Sequence, residues 1–174
     1  MGLQSKPAMI QEYGGMDPDQ RAQQIVQKVG QRLVQSSVAS KTPYVFEFNL
    51  LADPNVINAF ALPGGQIFIT RALLDRLSEE DQLAGVLGHE IGHVIGRHAG
   101  ERMEKDGLLQ GLAGAAGVAL GDYNSAQAAQ QFAALIGLKY GRDQELQSDN
   151  LGVRFLMEAG KKKKKMIDVM EILK

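Results

Sequence analysis

The first part of the chain shows one clear amphipathic pattern. After Asp17-Pro18, a pair that often begins helices, apolar residues recur at helical spacing up to residue 35, and the opposite face is rich in Gln. The pattern predicts a helix that ends before Pro43, since the residue preceding a proline disfavours the helical conformation. Residues 1–16, with Gly14-Gly15 near their end, are interpreted as a flexible N-terminal arm.

Three strand-like segments follow this helix. Residues 44–51 and 56–62 are rich in aromatic and β-branched side chains with partial alternation, which is typical of half-buried strands. Residues 66–70 follow the turn Pro63-Gly64-Gly65, and a tight turn between two short strands favours a hairpin. We therefore expect a small three-stranded antiparallel sheet.

From residue 79 onward the apolar spacing is helical. The predicted helices span residues 79–99, 104–121, 125–140, 143–159 and 166–174. The fold class is therefore α+β, mainly helical with a small sheet, and residues 17–174 are predicted to form a single domain. Small residues within 107–121, followed by the apolar segment 126–138, indicate either a tightly packed helical hairpin or one that contacts a membrane.

Composition excludes several kinds of site. The chain has 174 residues, a formal net charge of −1 and no cysteine. Disulfides, cysteine-ligated zinc and thiol nucleophiles are therefore excluded, and the balanced charge provides no basic field for nucleic acid. The run Lys161–Lys165 is interpreted as a solvated loop rather than a membrane or nucleic-acid patch. No secretory signal begins the sequence, so any signal or anchor of an exported form is expected to lie outside it.

Two of the three histidines form the motif His89-Glu90-Ile91-Gly92-His93. On an α-helix, positions i and i+4 point about 40° apart, one turn along the axis. Two imidazoles at this spacing can bind one Zn²⁺, and the glutamate between them suits a general base that acts on a water activated by the metal. We therefore predict His89 and His93 as metal ligands and Glu90 as the catalytic base.

The helical wheel supports this interpretation. Apolar residues of the predicted helix gather on the side opposite to the two histidines: Leu83, Leu87, Ile91, Val94 and Ile95. Glycines form a stripe beside the histidines: Gly85, Gly88, Gly92 and Gly96. Because a glycine costs a helix interior up to ~1 kcal/mol relative to alanine, the stripe predicts that another backbone approaches closely there.

The third ligand is less constrained by spacing. His98 would point about 180° away from His89 if the helix continued, so it is interpreted as a structural or helix-end residue. With no cysteine in the chain, a carboxylate is expected to complete the site. Glu145 and Asp149 share one face of a predicted helix, so Glu145 could bind the metal while Asp149 holds a metal-bound imidazole from behind. On spacing alone, three carboxylates nearer in sequence remain open alternatives: Glu101, Glu104 and Asp106.

Three segments resemble the M48 family of zinc metallopeptidases. Residues 89–98 are similar to that family's HEIGHxxxRH helix, residues 140–152 to its ExxxD helix, and residues 58–70 to a strand segment that precedes both. The resemblance covers roughly residues 20–160. It ends at Lys161–Lys165, where family members usually carry a turn with Tyr and Pro.

The resemblance implies a gluzincin-type fold with one Zn²⁺ per chain. His89, His93 and Glu145 would hold the metal, and Asp149 would support the site from behind. The activity implied is that of an endopeptidase acting on polypeptides, in particular misfolded or envelope proteins. The implied location is the periplasm or the membrane-associated cell envelope, with peripheral membrane association as a further hypothesis.

Two further sets of residues are hypothesised to contact a substrate. An extended peptide could add by β-augmentation to the strand at Asn58, Ala59, Phe60 and Ala61. Candidates for stabilising the oxyanion are Tyr140, Arg142 and His98. The alternative function is a latent or non-proteolytic zinc protein that holds peptides as a chaperone does, although such a site has no need of Glu90.

Overall fold

A computed structural model of the chain describes residues 2–105, 140–161 and 164–172. Its helices are α1 Gly2–Glu12, α2 Gln20–Gln35, a 3-10 helix Val38–Lys41, α3 Arg71–Leu74, α4 Glu80–Ile95, α5 His98–Lys105, α6 Arg142–Glu158 and α7 Lys164–Ile172. Its strands are β1 Glu47–Leu51, β2 Ala59–Ala61 and β3 Gln66–Thr70. The α+β class is confirmed, whereas the helices predicted over 104–121 and 125–140 lie largely outside the described residues. Within those described ranges, no helix is long and apolar enough to cross a bilayer.

Helix α2 begins two residues after the predicted start. Asp19 is its N-cap, and the side chain accepts hydrogen bonds from the amides of Arg21 and Ala22 at 3.0 and 3.1 Å. These bonds satisfy amide groups that have no partner within the helix. Asp17, which the sequence placed at the start of the helix, instead accepts hydrogen bonds from the guanidinium of Arg71. The apolar face of α2 then packs into the core through Val26, Val29 and Leu33.

The sheet is mixed, so the antiparallel prediction was wrong for one strand. Its order is β1-β3-β2. Strands β2 and β3 form the predicted antiparallel hairpin, but β1 pairs with the other edge of β3 in parallel. The chain crosses from β1 to the far edge before it turns back into β3, so β1 and β3 run in the same direction. Strand periodicity carries no information about which neighbour a strand will choose.

The N-terminal segment is helical where a flexible arm had been predicted. Helix α1 lies against the sheet, and its Met9 is fully buried. After α1, the ring of Tyr13 lies 5.3 Å from that of Phe60, which stacks on Phe68 at 4.9 Å. Since this aromatic stack covers the sheet face turned towards α1, the segment is part of the packed structure. The prediction of a single domain over 17–174 stays a prediction.

Helices α4 and α6 pack at very short distance, as the glycine stripe predicted. A Cβ added at Gly88 would lie 3.4 Å from the backbone of Gly152, and one added at Gly92 would lie 3.0 Å from the backbone of Ser148. At Gly88 an added Cβ would just reach contact with the facing backbone, whereas at Gly92 it would crowd that backbone. The contact brings the face of α6 that carries Glu145 alongside the histidines of α4.

The lysine run is partly structured, so its interpretation as a solvated loop was wrong at both ends. The ammonium of Lys161 bonds Glu80 at 3.1 Å and Asp81 at 2.7 Å, which ties the end of α6 to the start of α4. Lys164 and Lys165 form the first residues of α7. The two lysines between them lie outside the described residues.

Candidate metal centre

The two motif histidines meet on the face of α4 that is turned towards α6. Their Nε2 atoms lie 2.9 Å apart, and both side chains are largely buried. The helical spacing of four residues produces this juxtaposition without any help from the rest of the chain. The predicted pair of imidazole donors is therefore in place.

Glu145 on α6 brings a carboxylate to this pair. Its Oε2 lies 3.4 Å from Nε2 of His89, and its Oε1 lies 3.6 Å from Nε2 of His93. Zinc bound tetrahedrally at about 2.0–2.1 Å requires donors about 3.3 Å apart. These separations and the donor set of two imidazoles and one carboxylate fit a divalent metal such as zinc.

The alternative carboxylates do not join this group. Glu101 and Glu104 lie on α5, and the carboxylate of Glu101 accepts a hydrogen bond from Gln144 at 3.2 Å. Among the residues that the structure describes, the group of side chains that could hold a metal ion consists of His89, His93 and Glu145. Asp106 lies outside the described residues.

Asp149 holds the first histidine from behind. Its Oδ1 lies 2.8 Å from Nδ1 of His89, so the imidazole donates its Nδ1 proton to Asp149, and Nε2 is the nitrogen that faces the site. Burial alone would lower the pKa of His89, but the carboxylates of Asp149 and Glu145 outweigh it and raise that pKa to about 10. In the metal-free protein, a metal ion must therefore compete with a proton for this imidazole.

Glu90 is buried beside the donors, with 7% of its surface exposed. Burial raises the pKa of its carboxyl group to about 7, and the charge of Glu145 adds to this rise while that of His89 opposes it. A carboxylate with a pKa near neutrality can both accept a proton and release it again. This environment suits the predicted role of general base.

His98 lies next to His93, where a continuous helix would not have placed it. The prediction of one helix over 79–99 was wrong at its end, because α4 stops at Ile95 and Arg97 adopts a left-handed backbone with φ 57°. This turn brings Nδ1 of His98 to 2.8 Å from Nδ1 of His93. The Nε2 of His98 lies 2.8 Å from Oε1 of Gln147, a contact that sequence reasoning missed.

An aromatic ring covers the second histidine. Tyr140 stacks on His93 with 4.0 Å between ring centroids, and the guanidinium of Arg102 lies 4.4 Å above the tyrosine ring. Burial raises the pKa of Tyr140 to about 12. Sequence reasoning missed Arg102, since nothing in the pattern of α5 relates it to the site. Arg142 is exposed at the first position of α6.

Strand β2, the strand predicted to bind a substrate peptide, offers its backbone rather than its side chains to such a peptide. Strand β2 is at one edge of the sheet, and within the described residues no further strand pairs with it. Phe60 is buried in the aromatic stack, and the side-chain amide of Asn58 donates a hydrogen bond to the hydroxyl of Tyr13 at 3.3 Å. Those two side chains therefore face α1 and support the strand.

A cavity opens between this strand and the second motif histidine. Its volume is about 410 Å³, and it lies beside His93. The walls are mainly apolar or aromatic: Tyr44, Ala61, Leu62, Pro63, Val94 and Tyr140. A pocket of this size can receive a side chain of a bound peptide.

Comparisons with known proteins find similarity to one family of peptidases. The profile of peptidase family M48 matches residues 20–173. The "Beta-barrel assembly-enhancing protease" of Escherichia coli (strain K12) is 33% identical over 148 residues, which cover 79% of this chain and 29% of that protein. The "Mitochondrial metalloendopeptidase OMA1" of Arabidopsis thaliana is 30% identical over 115 residues, covering 64% of this chain and 22% of that protein. The chain thus spans less than a third of the length of these relatives.

Proposed function

Because this chain belongs to peptidase family M48, we propose that it is a zinc-dependent endopeptidase in which Glu90 acts as the general base. The observation that carries the proposal is the meeting of His89, His93 and Glu145 within 4.8 Å, with a buried glutamate next to the first histidine. A purely structural zinc site has no use for a buried glutamate that does not bind the metal. Hydrolysis does, because the attacking water must lose a proton.

The roles of the residues follow from their positions. His89, His93 and Glu145 would hold the zinc, and Asp149 orients His89 through its hydrogen bond. When bound, zinc acts as a Lewis acid that polarises the scissile carbonyl and makes water more acidic. Glu90 accepts the proton of the attacking water and then delivers it to the leaving amine.

Tyr140 is the best placed of the three proposed oxyanion stabilisers. It lines the cavity and stacks on His93, and its raised pKa keeps the hydroxyl protonated as a donor. The two ring nitrogens of His98 already contact His93 and Gln147, which argues against a direct role for this residue. A role for Arg142 in stabilising the oxyanion stays a proposal that rests on the sequence alone.

The substrate is proposed to be a polypeptide bound in extended form along β2. Its backbone would pair with the exposed edge, and an apolar side chain would enter the neighbouring cavity. An extended, apolar segment is what misfolded or unassembled proteins expose. We extend the proposal to such proteins of the cell envelope, with peripheral membrane association, as expected from the sequence.

The deciding experiment combines metal analysis with casein cleavage for the wild type and Glu90→Gln. We expect about one zinc per chain in both, chelator-sensitive cleavage by the wild type, and a loss of 10²-fold or more in the variant, since general-base catalysis contributes about 10²–10⁴-fold. Glu12→Gln, an exposed glutamate on α1, is the matched control and should cleave normally.

Two results would change the conclusion. Normal cleavage by Glu90→Gln would remove the proposed mechanism. Zinc in the wild type without cleavage of any unfolded protein would favour the alternative, a latent or peptide-holding zinc protein.

A further inference from the structure

The second metal ligand is held from behind by another histidine rather than by a carboxylate. We propose that His98, anchored by Gln147, is a positioning residue that fixes the tautomer and ring orientation of His93. This inference rests on the proposed metal site, in which His93 binds through Nε2. His98 itself belongs neither to the group of three potential ligands nor to the residues that line the cavity.

The hydrogen-bond geometry permits one arrangement of protons. His93 must leave Nε2 unprotonated to bind a metal, so its Nδ1 carries the proton. That proton faces Nδ1 of His98 at 2.8 Å, which must therefore be an acceptor. A neutral His98 then carries its proton on Nε2 and donates it to Oε1 of Gln147 at 2.8 Å.

Because His98 is buried, other placements of its ring proton would cost hydrogen bonds. The side chain is 1% exposed, so water cannot replace a lost partner. If His98 held its proton on Nδ1 instead, two N–H groups would face each other across 2.8 Å, and Gln147 would lose its donor. The Oγ of Ser148, 3.3 Å from Nδ1 of His98, can donate a second hydrogen bond to the same acceptor.

Two features of the backbone next to His98 allow its contact with His93. Arg97 takes the left-handed conformation that L residues seldom adopt, and this turn points His98 back at His93. A Cβ on Gly96 would lie 2.4 Å from Nε2 of His98 and 2.8 Å from its Cε1. The ring could not move aside without breaking one of its two hydrogen bonds, so position 96 requires glycine.

The arrangement links three helices to one ligand. His93 comes from α4, His98 begins α5, and Gln147 and Ser148 lie on α6, two and three residues after Glu145. The segment that supplies the third ligand therefore also orients the second. A substitution of Gln147 should therefore alter metal affinity, although its side chain is not one of the donors.

The first test uses the metal-free wild type. Long-range ¹H–¹⁵N correlation of the imidazole nitrogens identifies each tautomer without any metal. We expect Nδ1–H for His93 and Nε2–H for His98. The reverse tautomer of His98, or a His98 protonated on both nitrogens at neutral pH, would overturn the proposal.

The second test compares zinc affinity in variants, measured by competition with a chromophoric chelator. His98→Leu removes the acceptor at similar bulk, and we expect a 10- to 100-fold weaker affinity, the usual effect of losing the partner of a metal-bound histidine. His98→Asn keeps an acceptor oxygen near the position of Nδ1 and should restore much of the loss. The visible spectrum of the Co²⁺-loaded protein should change in His98→Leu and return towards wild type in His98→Asn, which loss of packing alone would not produce.

Gln147→Leu provides a variant that leaves His98 in place. We expect a smaller loss of zinc affinity, with Asn150→Leu, another exposed amide on α6, as the control that keeps wild-type affinity. Wild-type affinity and an unchanged cobalt spectrum in both His98→Leu and Gln147→Leu would overturn the proposal. If the wild type binds no zinc but shows the expected tautomers, the proposed function fails and the positioning of His93 by His98 stands.

Discussion

Gly92 on α4 lies against the backbone of Ser148 on α6, so closely that a Cβ on the glycine would come to 3.0 Å from both Cα and O of the serine. Ser148 stands between Glu145 and Asp149 on the helix that supplies both carboxylates. The separation of the two helices therefore sets the distance from these carboxylates to the histidines of α4. The absence of a side chain at Gly92 therefore helps to set the geometry of the site.

Gly92→Ala should separate the two helices and weaken the site. We expect a loss of about 1–3 kcal/mol in the free energy of unfolding, because the new methyl group meets backbone that cannot rotate away. Zinc affinity should also fall, since Glu145 moves outward with α6. Gly100→Ala is the control, because nothing lies within 4 Å of the added Cβ. It should leave the free energy of unfolding unchanged or raise it by up to ~1 kcal/mol. Urea unfolding of the metal-free proteins measures the free energy of unfolding of both variants. Equal stability of the two variants would contradict the prediction.

Glu145→Ala should reduce zinc affinity sharply and abolish cleavage, because two imidazoles alone leave the metal with too few protein ligands. Glu101→Ala tests the nearest alternative carboxylate on α5, and we expect it to retain about one zinc per chain. Mass spectrometry after dialysis against a weak chelator measures the metal content. Zinc retained by Glu145→Ala and lost by Glu101→Ala would transfer the third ligand to α5.

Asp17→Asn should make the protein less sensitive to acid and less stable at neutral pH. Asp17 is almost buried and accepts two hydrogen bonds of 2.8 Å from Arg71, which lower the pKa of its carboxyl group. A carboxyl with a lowered folded-state pKa stabilises the fold above its unfolded pKa of about 3.9, and this contribution is lost as pH falls through the folded pKa. We expect the variant to lose about 1–3 kcal/mol at pH 7 and to show a flatter decline below about pH 4.

The measurement is urea unfolding at several pH values, with a chelator present so that metal release does not contribute. Asp75→Asn is the matched control, because that carboxylate is 62% exposed and lies 3.5 Å from the same guanidinium. A wild-type protein whose stability declined below pH 4 no more steeply than that of Asp17→Asn would refute the assignment.

A substrate peptide with selected N-methylated amides should bind β2 less well. The amide of Leu62 bonds the carbonyl of Gln66 at 2.8 Å, and the amide of Thr70 bonds the carbonyl of Asn58 at 3.0 Å. In an antiparallel pair the intervening residues turn their polar groups the other way, so Ala59 and Ala61 direct theirs to the open edge. Methylation of a substrate amide that pairs with either should raise KM by about 2- to 10-fold, since a hydrogen bond contributes about 0.5–1.5 kcal/mol net. Methylation at the next residue along should have little effect. Equal effects at both positions would exclude pairing along β2.

Local spacing in the sequence determined the parts of the site that lie within one element. The separation of His89 and His93 is set by helix geometry, so their juxtaposition follows from the motif alone. The hairpin of β2 and β3 follows from the Pro-Gly-Gly turn, and the close approach to α4 follows from its glycines. Family membership was also readable from the three motifs, because their residues and order are highly specific.

Contacts between distant segments were decided only by the tertiary structure. The meeting of Glu145 with the two histidines, the parallel pairing of β1 with β3, and the covering of the sheet by α1 each join residues far apart in sequence. His98 is the clearest case, because one left-handed residue, Arg97, reversed the direction that helical spacing had predicted. Periodicity describes the order within an element, whereas the free energy of packing between elements selects which of them meet.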